Sequence, residues 1–194
     1  VFEDQDVRVN APAWSADGRF IVFERQPIPR PGQEGGSGLW MVHVDGGSGV
    51  ELTDLAGASW PSPSADGRYI YLTRNSGSGG AVGYSDAIKG YRQLSRFEFE
   101  TGAIVAVTSG TAAQQIRASS GGAYAGEVSP DGRHLAFARR IPDGTIEWKG
   151  HVYGPRTALW LRDLATGAER VIMDPIESDM VETIKTLRPV PGYD

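Results

Sequence analysis

Three times in this chain a carboxylate, a glycine and a guanidinium stand side by side: Asp17-Gly18-Arg19, Asp66-Gly67-Arg68 and Asp131-Gly132-Arg133. An acid next to a base invites a search for proton transfer or metal binding. The neighbours of these triplets argue for a simpler role. Each is preceded by serine, as Ser15-Ala16, Ser64-Ala65 and Ser129-Pro130. Each is followed by an apolar run, Phe20-Ile21-Val22-Phe23, Tyr69-Ile70-Tyr71-Leu72 or His134-Leu135-Ala136-Phe137. An Asp-Gly step leading into β-branched and aromatic residues is a hairpin signal. Glycine takes a positive φ without a Cβ clash, and the aspartate can bond the backbone of the turn. Asp17, Gly18, Asp66, Gly67, Asp131 and Gly132 therefore read as structural turn residues, and their recurrence marks a repeat.

Other chemistry is thinly supplied. A metal-dependent hydrolytic site with two imidazoles on one strand needs a His-x-His pair. The three histidines, His43, His134 and His151, lie far apart in sequence. His43 falls in a predicted strand and His134 directly after a turn, whereas His151 lies in a loop and is the one candidate for a ligand contact. A serine hydrolase would show Gly-x-Ser-x-Gly. Ser37 has Gly35 before it but Leu39 after, and Ser48 has Gly46 before it but Val50 after. The Gly/Ser stretches at 35–38 and 76–80 have no Walker lysine and no complete dinucleotide fingerprint, so they read as loop. Asp174, Glu177, Asp179 and Glu182 lack the spacing of a calcium loop. No catalytic residue, metal ligand or cofactor is expected within this chain.

The bulk numbers set the frame. There are 194 residues, 40% hydrophobic and 22% charged, with 26 glycines and 12 prolines. That fits a domain with a real core and many turns. The net charge of −5 argues against a nucleic-acid partner, which would need clustered lysine and arginine. Cysteine is absent, which removes disulfides, thiolate metal sites and cysteine nucleophiles. No run is long enough to cross a bilayer as an apolar helix, so membrane insertion is not expected. The chain opens on Val1 rather than methionine, which reads as a removed natural N-terminus.

The repeat then orders the chain. Residues 1–10 read as a short outer strand. Blade 1 spans about 11–54, with strands at 20–23, 39–44 and 50–53 and a turn at Asp45-Gly46. Blade 2 spans about 60–109, with strands near 69–73, 94–99 and 104–108 and a turn at Thr101-Gly102. Blade 3 spans about 125–174, with strands near 134–139, 158–163 and 169–173 and a turn at Thr166-Gly167. Four short strands per unit with glycine turns at fixed places describe propeller blades. A β-sandwich also has many short strands, but it gives no reason to repeat Ser-x-Asp-Gly-Arg. Beyond Met173, Asp174-Pro175 reads as the cap and first position of a short helix within 175–194, a linker towards a missing next blade. The fold class expected is all-β, a partial propeller of three four-stranded blades with a possible short C-terminal helix.

In such a blade the turns between strands one and two, and three and four, share one face. The connections between strands two and three share the other. All three long insertions, 26–38, 75–91 and 141–156, fall on that second face. They carry Tyr84, Tyr91, Trp148, His151, Tyr153 and Arg156, a set of aromatic and basic residues suited to recognition or docking. Packing of the loops themselves accounts for them equally well.

These repeats resemble the TolB-like, WD40-like propeller repeat (the PD40 type), on the strength of the three Ser-x-Asp-Gly-Arg phrases and the apolar strands after them. The stretch from Phe137-Ala138-Arg139-Arg140 through Ala158-Leu159-Trp160-Leu161 to Asp174-Pro175-Ile176-Glu177 resembles the N-terminal propeller of bacterial amidohydrolases that carry such repeats. Related propellers precede the catalytic domain of prolyl-oligopeptidase-type peptidases. The resemblance implies that chemistry lies in another domain, and that the setting is periplasmic or extracellular. It implies six or more blades where this chain supplies three. The partners expected are therefore the remaining blades or the catalytic domain of a parent chain, or a second copy completing a six-bladed ring. The resemblance also allows a different class, a protein-interaction propeller like periplasmic TolB.

Overall fold

The computed structural model describes residues 7–28, 38–52, 55, 57–75, 92–108, 123–140, 146–148, 151–153 and 157–173. Among them every regular element is a β-strand. The first sheet contains β1 (Val7–Trp14), β2 (Phe20–Pro27), β3 (Gly38–His43) and β4 (Val50–Glu51), hydrogen-bonded in that order. The second contains β5 (Ala58–Pro63), β6 (Tyr69–Asn75), β7 (Arg92–Glu98) and β8 (Ile104–Ala106). The third contains β9 (Ala123–Val128), β10 (His134–Arg140), β13 (Thr157–Asp163) and β14 (Glu169–Met173). All pairings are antiparallel. These are three open meanders, the blades read from the repeat. The helix expected within 175–194 lies outside the described residues.

Two differences from the sequence reading have physical causes. Residues 7–10 do not form a separate outer strand: they continue into 11–14 as β1. The join is a bulge, where the register slips between Asn10 and Ala13 and Ala11 takes a φ of 46°. Pro12 has no N–H to give to the ladder, so the strand can pass through it only where pairing is already broken. The connection 141–156 also holds structure of its own, a hairpin of β11 (Ile146–Trp148) and β12 (His151–Tyr153). It read as a loop because three-residue strands are too short to show a period.

The blades stack through their faces. β5 packs against β1, β2 and β3, and β9 packs against β5, β6 and β7, while no described element of blade 1 touches blade 3. The three first strands thus run side by side along the inside of an open arc. One core joins Val22 and Leu39 of blade 1 to Ala58, Ile70, Leu72 and Phe97 of blade 2, with Leu55 from the connection. A second joins Tyr71 and Leu94 of blade 2 to Ala123, Leu135 and Phe137 of blade 3. In β6, which has a described blade on each side, alternate residues serve opposite neighbours: Ile70 and Leu72 face one way and Tyr71 the other. This explains why the run Tyr69-Ile70-Tyr71-Leu72 after the second Asp-Gly turn is hydrophobic at every position. At the second junction the missing side chain of Gly126 makes room for leucine side chains. A Cβ on Gly126 would lie 2.9 Å from Leu94 Cδ2 and 3.3 Å from Leu135 Cδ1.

Two polar contacts also cross that junction. The Ala125 N–H donates to Thr73 Oγ1 at 3.0 Å, and the Val128 N–H donates to Ser62 Oγ at 2.9 Å. Ser62 and Thr73 are buried. Their hydroxyls satisfy N–H groups on the neighbouring first strand that would otherwise be left without a partner between the sheets.

Candidate functional site

The residues that first suggested chemistry form the same closed hydrogen-bond unit three times. In blade 1 the Ser15 hydroxyl donates to Asp17 Oδ1 at 2.6 Å, and the Arg19 N–H donates to the same oxygen at 3.0 Å. The Phe20 N–H donates to Ser15 Oγ at 2.9 Å, and the Gly18 N–H to the Ser15 carbonyl at 2.9 Å. Blade 2 repeats this through Ser64, Asp66, Gly67, Arg68 and Tyr69, and blade 3 through Ser129, Asp131, Gly132, Arg133 and His134. Gly18, Gly67 and Gly132 have φ of 66°, 71° and 69°, the left-handed region that glycine enters without strain. The arginine contributes its backbone. The carbonyls of Arg19, Arg68 and Arg133 accept the N–H of Val44, Phe99 and Leu164, extending the pairing of second and third strands. Each residue of Ser-x-Asp-Gly-Arg thus has a task in joining strands, and the three aspartates sit on separate blades.

The serine hydroxyl and then the arginine N–H hold the carboxyls of Asp17, Asp66 and Asp131 below their ordinary value. Asp163 is lowered in the same way by the Thr166 backbone N–H and hydroxyl. At Glu169 burial pushes the carboxyl up, but hydrogen bonds from Arg139 and Arg162 outweigh it and the net shift is down. Those contacts are 2.8 Å from Arg139 and 2.7 Å from Arg162, and the Arg139 guanidinium lies 4.6 Å from the Trp160 ring centroid. A carboxyl lowered by folding contributes stability that is full above its unfolded pKa and is lost as pH falls through its folded value. The unfolding midpoint is therefore expected to drop as pH is taken from about 5 towards 2. The triple variant Asp17→Asn, Asp66→Asn, Asp131→Asn should flatten that acid limb in a thermal-melt series. An unchanged limb would show that these hydrogen bonds contribute nothing.

The histidines are dispersed. His43 closes β3, its ring edge-on to Phe20 at 5.1 Å, and its Nδ1 accepts the Asp45 N–H at 3.2 Å. That arrangement fastens the Asp45-Gly46 turn. His134 opens β10 and His151 opens β12. Among the described residues no group of three or more His, Cys, Asp and Glu side chains is placed to hold a metal ion. Likewise, no helix among them is long and apolar enough to cross a membrane.

Of the candidate binding residues, Trp148, His151 and Tyr153 fall on the β11–β12 hairpin. Its backbone register sets Trp148 opposite His151 and Ile146 opposite Tyr153. The hairpin lies in the connection from β10 to β13. In an antiparallel meander this is the end opposite the Asp-Gly turns. Tyr84, Tyr91 and Arg156 lie outside the described residues.

One repeated feature carried no flag in the sequence reading. Ala11, Trp60 and Ala125 all adopt positive φ, at 46°, 49° and 52°, each six residues before a turn aspartate. For a side chain with a Cβ this costs about 1 kcal/mol or more. The tripled strained bulge sits on the inner strands, where it releases N–H groups from the ladder; that of Ala125 goes to Thr73. Pro12 and Pro61, each directly after a bulge residue, were the available signal.

The arrangement matches solved structures of one architecture. The chain superposes on a protein assigned as TolB from Agrobacterium tumefaciens with a TM-score of 0.56 and 19% identity, covering 87% of this chain and 50% of that one. It also superposes on the β-propeller domain of the Trilobed protease from Pyrococcus furiosus, with a TM-score of 0.52, 12% identity, and coverage of 88% and 44%. The fold is a β-propeller. A third match is the acylaminoacyl peptidase of Pyrococcus horikoshii, with a TM-score of 0.57, 14% identity, and coverage of 88% and 25%. This propeller chain thus spans half or less of each of these structures. No protein-family model matches it, and a comparison with curated proteins finds no match.

Proposed function

We propose that this propeller segment is a scaffold of a larger TolB-like protein, flanking or gating the active site of an amidohydrolase-type hydrolase. The observation that carries this reading is the division between the two ends of the arc. At one end every acid of the repeat is engaged in its own turn. The chain leaves β2, β6 and β10 at the other end, and the connection after β10 bears an added hairpin. A sheet stack with an added hairpin at one end suits contact with a second domain. The similarity to a peptidase much longer than this chain supports a propeller joined to a hydrolase. In the proposed setting Tyr84, Tyr91, Trp148, His151, Tyr153 and Arg156 face that domain, and the protein is exported.

The similarity to TolB favours a second reading, a protein-interaction propeller without attached chemistry. The reading frame encoding the chain separates the two. A following domain with His-x-His supports the first, and further blades followed by a stop support the second. In a hydrolase panel with added zinc, the 194-residue chain is expected to show no turnover. Turnover abolished by His151→Ala would overturn both readings.

A further inference from the structure

We propose that the Asp45-Gly46 step is a site of covalent self-modification, at which the aspartate closes a succinimide on the Gly46 nitrogen and reopens as isoaspartate. The three Asp-Gly steps of the repeat are shielded from the same reaction by the hydrogen bonds of their turns. The proposal is independent of the hydrolase or partner that the propeller serves.

The chemistry is open to any aspartate followed by glycine. The Gly46 nitrogen forms a bond to Asp45 Cγ, and the carboxyl hydroxyl leaves as water with the N–H proton. Water then adds to the main-chain carbonyl carbon of Asp45 and breaks its bond to that nitrogen. The chain now runs through Cβ and Cγ. The water lost is regained, so no oxidant or co-reactant is needed. Glycine favours the reaction because no side chain crowds the attacking nitrogen. The carboxyl must be free to turn onto that nitrogen, and it reacts as the neutral acid.

Four such steps lie among the described residues, at Asp17, Asp45, Asp66 and Asp131, while Asp143-Gly144 lies outside them. All four aspartates are exposed. In each, the glycine N–H donates to the carbonyl three residues before it, at 2.9 Å for Gly18 and Gly46, 3.0 Å for Gly67 and 2.8 Å for Gly132. Neither access of water nor the state of the attacking nitrogen separates them. The carboxyl does. In the repeat, Oδ1 accepts the serine hydroxyl at 2.5–2.6 Å and the arginine N–H at 3.0 Å. The second bond pins the carboxyl to the residue beyond the glycine, whose own chain runs straight into a paired strand. Both bonds favour the ionised carboxylate, the unreactive form, and hold these three groups below their ordinary value.

Asp45 has no such ring. Two residues before it stands His43 in place of serine, and two residues after it Gly47 in place of arginine. Its carboxylate meets His43 Nδ1 at 3.4 Å, too long for a strong hydrogen bond, and its side chain is 88% exposed. Gly46 and Gly47 have φ of 100° and 121°, against 66° to 71° for the repeat glycines. With Gly49 they form a turn whose backbone has the freedom that ring closure requires. The turn leads only to β4, two exposed residues paired with Trp40 and Met41, so the longer backbone of the product disturbs little of the core.

Incubation of the full folded chain at neutral pH, followed by peptide mapping that separates isoaspartyl from aspartyl peptides, tests this. Methyl transfer from S-adenosylmethionine by an isoaspartyl methyltransferase gives a second readout on the same samples. Isoaspartate is expected to build up at Asp45 about tenfold faster than at Asp17, Asp66 or Asp131, the ratio set by one charge-assisted hydrogen bond that must break before closure. Asp45→Glu should remove the signal, because glutamate closes the larger ring poorly. Ser15→Ala should raise the rate at Asp17 and leave Asp66 and Asp131 unchanged. In guanidinium chloride the four rates should converge. Equal rates at the four sites of the folded chain, or none at Asp45, would overturn the proposal. So would a preference for Asp45 that persists in the denaturant, since it would then belong to the neighbouring residues and not to the turns.

Discussion

Replacing Phe137 with alanine is expected to cost about 3–5 kcal/mol of stability, the largest loss from a single substitution among the described residues. Phe137 is 0% exposed and heads the fully buried side chains by volume. It lies between blades 2 and 3 with Tyr71, Leu94 and Leu135, and the Arg139 guanidinium stands 4.9 Å from its ring. Truncation removes the transfer energy of the ring and leaves a cavity between two sheets. Hydrogen-bonded ladders on both sides of it hold the backbone and prevent full collapse. Urea unfolding followed by tryptophan fluorescence reads the change as a shift in midpoint. A loss below about 1 kcal/mol would mean that Phe137 is not at a packed junction.

The second large effect is polar. The double variant Ser62→Ala, Thr73→Val removes both hydroxyls that accept N–H groups across the same junction. The Val128 and Ala125 donors are then left between the sheets, where an unsatisfied group costs about 1–3 kcal/mol. The expected total is about 2–6 kcal/mol, with partial coupling between the two sites. Thr73→Ser keeps the acceptor and should recover most of its share in the same unfolding experiment. If the double variant unfolds at the midpoint of the unaltered protein, those hydroxyls are not bridging the blades.

Much of this fold was legible because the repeat is written in turn chemistry. Ser-x-Asp-Gly-Arg appears at each first hairpin because its hydroxyl, carboxylate and positive-φ glycine close one small hydrogen-bond ring. The hydrophobic run after it is legible because such a strand packs on adjoining blades, as Ile70, Tyr71 and Leu72 of β6 do on both sides. The bulges at Ala11, Trp60 and Ala125 were signalled only by Pro12 and Pro61, and not at all in the third blade. Their residue types differ, and the conformation is imposed by pairing on one side and the adjoining blade on the other. The β11–β12 hairpin was missed because Ile146–Trp148 and His151–Tyr153 carry no usable period. The Ser62 and Thr73 contacts join residues more than fifty positions apart, and nothing local announces them. Of the candidate site, the sequence indicated the connection that bears Trp148, His151 and Tyr153. It did not show that a hairpin sets Trp148 opposite His151.

The three meanders are docked as propeller blades, face on face. Amide hydrogen exchange resolved by residue tests it most directly. The Ala125 and Val128 N–H groups point out of their own sheet, so only an adjoining blade can protect them. Both are expected to exchange slowly, in step with the central strand β10 and with the Leu94 amide across the junction. Fast exchange at Ala125 and Val128 beside a protected β10 would contradict it, because the sheets would then be folded but not stacked.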